Sequence, residues 1–393
     1  DIVLGTALVS FYSKCGVLLE AQQVLEELHT RDTVSWSTLI AGYAQQGQGH
    51  AALGCFEQMR SEGHSPDVVT FISILQACGS TRSIKFGRQI HDEIVSQGML
   101  EKDPVLGNAL LDMYAKCGVL AKAQQVFQKL PVRDIISWNA MMSGYVQQER
   151  CQEALTCFEC MQCEGVSPDA VTFICMLKAC GTIGALGMGK KIHEKVIQNG
   201  LLDKDIIVGN ALVDMYAKCG VLSKAHQVLE ELPIRDIVSW NALIAGYAQL
   251  GQCREALDCL DWMQMEGLKP NSVTFVSIIK ACGSNGAIDK GMEVHDEIIT
   301  RGLLATDIVF GNALVDMYAK CGVLSKALQV LDEIPMRDTV SWSALIAGYA
   351  QQGRGLEALC CFQWMESEGF SPDKITFLCV LNACNHSGLL DQA

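Results

Sequence analysis

Four nearly identical stretches punctuate this chain, at residues 32–45, 134–147, 236–249 and 338–351. Their tryptophans, Trp36, Trp138, Trp240 and Trp342, follow one another every 102 residues. A sequence that repeats at a fixed period folds as one supersecondary unit used again and again, each copy packing on its neighbours. In the third copy an acidic residue, Asp236, precedes Val238, Ser239 and Trp240, and a helical pattern then runs through Ala242, Leu243 and Tyr247. One polar residue, Asn241, sits just inside the start of that helix.

Each period divides into three helical hairpins of 31, 35 and 36 residues. The short hairpins are 1–31, 103–133, 205–235 and 307–337, and the middle ones 32–66, 134–168, 236–270 and 338–372. The long ones are 67–102, 169–204, 271–306 and an incomplete 373–393, so 1–393 is read as a single array. In the third short hairpin Ala211, Leu212, Met215 and Tyr216 follow helical spacing and Gly220 stops the helix. A second helix runs through Leu222, Ala225, Val228 and Leu229 and ends before Pro233. In the third middle hairpin the second helix is predicted over 255–265, closed by Gly267 and Pro270. No alternating strand pattern competes, so the fold class is all-α: a right-handed α-solenoid superhelix of helix-turn-helix repeats.

Such a stack buries both faces of most helices, which accounts for a chain that is 49% hydrophobic with a mean hydropathy of +0.20. No apolar run approaches the roughly 18 residues of a membrane span, so no membrane partner is expected. Asp1 opens inside a repeat and no signal or transit peptide is present, which reads as a fragment whose targeting information lies elsewhere. The net charge of −14 argues against a chain that holds nucleic acid mainly by counterion release, but not against one that reads bases with a few local cations. The nineteen cysteines recur largely in register, as Cys15, Cys117, Cys219 and Cys321, or Cys78, Cys180, Cys282 and Cys384. Beside Gly or Ala near helix ends they read as reduced core thiols.

The repeats act as internal controls on apparent chemical motifs. Cys157, Cys160 and Cys163 resemble a metal-ligand run, yet Cys160 aligns with Gln58, Trp262 and Trp364, and Cys163 with Ser61, Met265 and Ser367. His91-Asp-Glu93 and His295-Asp-Glu297 match half of a zinc deaminase signature, but the equivalent place reads His193-Glu-Lys195 and no Pro-Cys-x-x-Cys follows. An interhelical packing or hydrogen-bonding role suits these histidines better. No catalytic residue, metal site, cofactor or small-molecule substrate is expected, and the chain is read as a non-enzyme.

Two series vary at fixed places. Near the start of the first helix of each short and middle hairpin stand Thr6, Ser37, Asn108, Asn139, Asn210, Asn241, Asn312 and Ser343. Just after those hairpins stand Asp32, Asp67, Asp134, Asp169, Asp236, Asn271, Asp338 and Asp373. Helix capping accounts for the second series. It accounts poorly for the first, because Asn, Ser and Thr inside a helix cost stability and an arbitrary surface position would also sample Lys, Glu and Ala. So narrow a choice reads as recognition.

The hairpin lengths, the run Asn210-Ala-Leu-Val-Asp-Met-Tyr-Ala-Lys-Cys-Gly220 and the run Val238-Ser-Trp-Asn-Ala-Leu-Ile244 resemble pentatricopeptide repeats. The alternation of 35, 36 and 31 residues resembles the PLS subclass of plant organellar RNA-editing factors. The resemblance covers the whole chain. It implies one single-stranded RNA base per repeat, with the two variable series facing the base's Watson–Crick edge. A carboxylate, which only accepts, favours bases with a ring N–H, G and U, whereas neutral Asn suits C or A. On the helix, Asn suits a pyrimidine and the shorter Ser or Thr leaves room for a purine. The resemblance further implies that Val105, Ile207 and Val309 sandwich bases and that Lys14, Lys116, Lys218 and Lys320 contact phosphate.

Departures from the family pattern limit what carries over. The long hairpins place Ile72, Ile174, Val276 and Leu378 where a polar reader would stand, and are expected to read weakly or act as spacers. They are also where the resemblance implies docking of accessory organellar editing proteins. The E extensions and DYW deaminase domain of full editing factors are not in this sequence, so it is expected to select RNA without deaminating it. The expected function is the recognition array of a C-to-U editing factor in chloroplast or mitochondrion, with the site GGNUUNUCNUGN. The alternative is an α-solenoid scaffold that binds a protein or peptide in its groove.

Overall fold

The structure, a computed structural model, describes residues 2–100, 103–305 and 307–387. The hairpin ends at Lys102 and Thr306, and residues 388–393 of the incomplete last hairpin, lie outside the described residues. Among the described residues there are twenty-three α-helices, one short 3₁₀ turn at Leu303–Ala305 and no strand. The chain is an all-α solenoid whose helices gather into two compact units, Asp1–Lys195 and Val196–Ala393.

In the first unit the first helices of successive hairpins stack in chain order. They are Ile2–Cys15, Thr33–Gln45, Val68–Thr81, Pro104–Lys116, Ile135–Gln147 and Ala170–Ile183. In the second unit the stack is Ile206–Lys218, Ile237–Gln249, Ser272–Asn285, Ile308–Lys320, Thr339–Gln351 and Lys374–Ser387. Second helices pack against their own first helix in each unit, for example Leu222–Glu231 against Ile206–Lys218.

Local chemistry sets these bounds. Asp236 holds an extended backbone and its carboxylate accepts from the N–H groups of Val238 and Ser239, satisfying two orphan donors of the helix start. At the other end of a first helix, Gly220 takes φ +76°, a conformation open to glycine and strained for other residues. The second helix of the third middle hairpin begins at Cys253, two residues ahead of the expected Glu255. No side chain caps that start, so nothing in the sequence marks it; the buried Cys253 extends the packed face instead.

The repeated tryptophans belong to the core. Trp36, Trp138, Trp240 and Trp342 are all buried, and the Trp240 indole N–H donates to Glu266 at 2.8 Å, which also pairs with Arg235 at 2.7 Å. The first helices approach closely: a Cβ on Gly246 would stand 2.8 Å from Ala217 Cβ. Cys78, Cys180, Cys282 and Cys384 are buried, and burial pushes the Cys78 thiol up to about 12, away from thiolate chemistry. Cys117, Cys219 and Cys321 are only half-buried, since each closes the end of its helix, and Cys15 is exposed. His91 and His295 sit 2.7 and 2.8 Å from the hydroxyls of Tyr114 and Tyr318, tying a long hairpin to the short one that follows. No described helix is long and apolar enough to cross a membrane.

Candidate functional site

The stacking of first helices sets the two variable series against each other. Asp134 caps the helix Ile135–Gln147, its Oδ1 accepting from the Ser137 N–H at 2.9 Å. Asn108, on the preceding first helix, donates from Nδ2 to both oxygens of the same carboxylate at 3.2 Å. The arrangement recurs with Asn210 on Asp236 at 3.1 and 3.2 Å and with Asn312 on Asp338 at 3.2 Å to each oxygen. Asn139 reaches Asp169 Oδ1 at 3.0 Å, Asn241 reaches Asn271 Oδ1 at 3.1 Å, and the Ser37 hydroxyl lies 3.3 Å from Asp67 Oδ1. Each capping residue therefore serves two helices at once.

Two expected pairs are not joined directly. Ser343 donates to the Thr339 carbonyl at 2.7 Å and meets Thr376 at 2.7 Å, while Asp373 caps the next helix through the Thr376 N–H at 2.8 Å. The Thr6 hydroxyl is buried with no hydrogen-bond partner, and Asp32 spends its carboxylate on the Ser35 N–H.

The chemistry left open differs between pairs. Asp134 Oδ2 meets only the Asn108 amide, so an acceptor remains available. Asn271 turns its Oδ1 inward to the Thr274 N–H at 3.1 Å, which leaves its amide nitrogen as the outward group, a donor. For Asp169, burial works to raise the carboxyl, but the Thr172 N–H, the Asn139 amide and the Thr172 hydroxyl outweigh it and hold the group below the usual carboxylate range. The Asp169 carboxylate stays ionised at neutral pH.

Around these pairs the remaining residues take definite places. Val105, Ile207 and Val309 are 58%, 59% and 47% exposed, unusual for β-branched residues on a packed helix. The same place is occupied in every other hairpin by an exposed Val or Ile, including Val69, Val171 and Val273 of the long ones. A groove of about 310 Å³ shows the grouping directly: Lys14, Val34, Ser37, Asp67 and Val69 line it together. Lys116, Lys218 and Lys320 are not free cations, because each pairs one helical turn back with Asp112, Asp214 or Asp316 at 2.6–2.7 Å. Ile72, Ile174 and Val276 are half-buried and Leu378 exposed, so the long hairpins carry the apolar row without a polar reader.

Sequence reasoning missed one set of residues at the site. Thr172 and Thr274 donate to the side-chain oxygens of Asn139 and Asn241 at 2.7 and 2.6 Å. In sequence they carry only the signal of an ordinary capping box.

Stacked helical hairpins with a periodic row of amide–carboxylate pairs define an α-solenoid repeat protein. The PPR repeat family pattern matches residues 31–80, 133–182, 235–284 and 337–386, and a second PPR repeat pattern matches 108–135, 210–237, 273–303 and 312–338. The chain belongs to the pentatricopeptide repeat family. It is 36% identical, over 98% of its length, to 62% of a chloroplastic pentatricopeptide repeat-containing protein of Arabidopsis thaliana. A mitochondrial one from the same plant is 36% identical over 98% of this chain and 37% of its own length. The chain thus spans about half the length of the curated relatives it matches. Among solved structures, that of the pentatricopeptide repeat protein PPR10 with an 18-nt psaJ RNA element superposes with a TM-score of 0.80 at 18% identity, over 99% of this chain and 59% of that one. A crystal structure of PPR10 from maize gives a TM-score of 0.69 at 19% identity, over 100% of this chain and 63% of that one.

Proposed function

We propose that this chain binds single-stranded RNA sequence-specifically, about one base per repeat, as the recognition array of an organellar C-to-U editing factor of the PLS kind. The observation that carries this reading is the recurrence of an amide–carboxylate pair at Asn108/Asp134, Asn139/Asp169, Asn210/Asp236 and Asn312/Asp338, each set beside an exposed Val or Ile. A base stacked on that aliphatic surface would present its edge to a fixed donor and acceptor. RNA bound in the PPR10 crystal structure, on a solenoid of the same fold, supports this partner. Relatives described as chloroplastic or mitochondrial support an organellar setting.

Reading the pairs 5′ to 3′ with the chain, Thr6/Asp32 and Ser37/Asp67 specify G, and Asn108/Asp134, Asn139/Asp169 and Asn210/Asp236 specify U. Asn241/Asn271 specifies C, Asn312/Asp338 U and Ser343/Asp373 G. With the long hairpins as unspecified positions the site is GGNUUNUCNUGN. Mobility-shift titration with this RNA, a scrambled RNA and the matching single-stranded DNA tests the reading. Preference for the stated RNA supports it; equal retention of all three overturns it.

A further inference from the structure

The asparagines of the short and middle hairpins are held differently. In the middle hairpins the amide is gripped from both ends: Asn139 Nδ2 donates to Asp169, and the Thr172 hydroxyl, with one proton to give, lies nearer to Asn139 Oδ1, at 2.7 Å, than to Asp169 Oδ1, at 2.9 Å; Asn241 is held likewise by Asn271 and by the Thr274 hydroxyl, 2.6 Å from its Oδ1 and 3.1 Å from Asn271 Oδ1. Thr172 and Thr274 are fully buried. Facing the short-hairpin readers, serine stands at the corresponding place, just inside the hairpin that follows. Ser137, Ser239 and Ser341 turn their hydroxyls to the carbonyls of Asp134, Asp236 and Asp338 at 2.8 Å, so the proton is used within their own helix start. Correspondingly, Asn210 Oδ1 and Asn312 Oδ1 are buried without a hydrogen-bond partner.

We infer that Thr172 and Thr274 are positioning residues for base selection, a third group that fixes the amide of the middle-hairpin reader. This inference rests on the base-reading function proposed above. A carboxylate accepts only, so Asp169 already requires Nδ2 to face it; the Thr172 hydroxyl then occupies a lone pair of Oδ1 and restrains the side chain from the other side. A reader held at two points loses less freedom on meeting a base and cannot rotate to suit the wrong one. The short-hairpin readers Asn210 and Asn312 are anchored only through Nδ2, with no group restraining the buried Oδ1. Middle hairpins should therefore discriminate more sharply than short ones carrying the same Asn/Asp pair.

The test uses the full chain and RNAs that differ only at the fifth base of the site, opposite Asn139, or the fourth, opposite Asn108. Thr172→Val removes the hydroxyl at nearly constant volume, while Asn139→Ser serves as the control for base reading itself. Competition between RNAs gives a ratio that does not depend on the fraction of folded protein. Thr172→Val is expected to reduce discrimination at the fifth base by about three- to tenfold, the worth of one hydrogen bond, leaving the fourth base unchanged. Thr274→Val should act in the same way at the eighth base. If Asn139→Ser moves the preference at the fifth base but Thr172→Val and Thr274→Val leave discrimination intact, the inference is wrong and the base-reading function stands. If Asn139→Ser moves nothing, the proposed function itself fails and this inference falls with it.

Discussion

The amide nitrogen of Asn312 donates at 3.2 Å to both carboxylate oxygens of Asp338, the residue that caps the next first helix. One carboxylate is thus shared between a helix start and a side chain of the preceding helix. Capping and the proposed recognition are two uses of one group.

Separating those uses gives a first prediction. Asp205 caps its helix through the Ile207 N–H at 2.9 Å, whereas Asp236 both caps and meets Asn210. Asp205→Ala should lower thermal stability by about 1 kcal/mol, the ordinary worth of an N-cap, without changing base preference. Asp236→Ala should lower stability comparably and also abolish the preference at the seventh base. Paired melting curves and competition titrations check both halves.

The inward Oδ1 of Asn271 leaves a donor facing outward where Asp leaves an acceptor. Asn271→Asp should therefore move the eighth base from C toward U, by about 1 kcal/mol if one or two hydrogen bonds decide it. Asn210→Thr should move the seventh base from U toward G by a similar amount. Unchanged preferences with intact affinity would contradict the proposed register.

Much of this arrangement was legible from residue numbers alone. The 102-residue period turned each hairpin into a control for the others, so Asn108, Asn210 and Asn312 stood out against true surface positions. Their contact with the following Asp was not legible, because a spacing of 26 residues specifies no distance until the helices stack. Thr172 and Ser137 carry the same capping signal in sequence and differ only in where the hydroxyl turns. The Asp112–Lys116 pairing could have been found, since acid and base lie one helical turn apart.

Those ion pairs shape the salt response. Lys116, Lys218 and Lys320 must exchange an aspartate for a phosphate if they contact RNA. Replacing all three by Ala should reduce the slope of log affinity against log salt by about 2. Replacing Asp112, Asp214 and Asp316 by Asn should instead raise affinity. Titration across a salt series distinguishes these effects from loss of base reading, which changes selectivity at constant slope.

Burial, opposed in part by Glu333 and Asp296, holds His295 below the usual histidine range. A histidine with a folded pKa below its unfolded value contributes stability above about 6.5 and loses it as pH falls through the folded value. Thermal stability should therefore fall on acidification below about pH 6.5. His295→Gln should flatten that dependence and leave the melting temperature at neutral pH lower, through loss of the Tyr318 contact.

The central claim is tested most directly by incubating the chain with a randomised single-stranded RNA pool and sequencing what it retains. The account predicts enrichment of GGNUUNUCNUGN, sharpest at the positions opposite Asn139 and Asn241 and flat opposite the long hairpins. Retention without an enriched sequence, or equal retention of a single-stranded DNA pool, would contradict it.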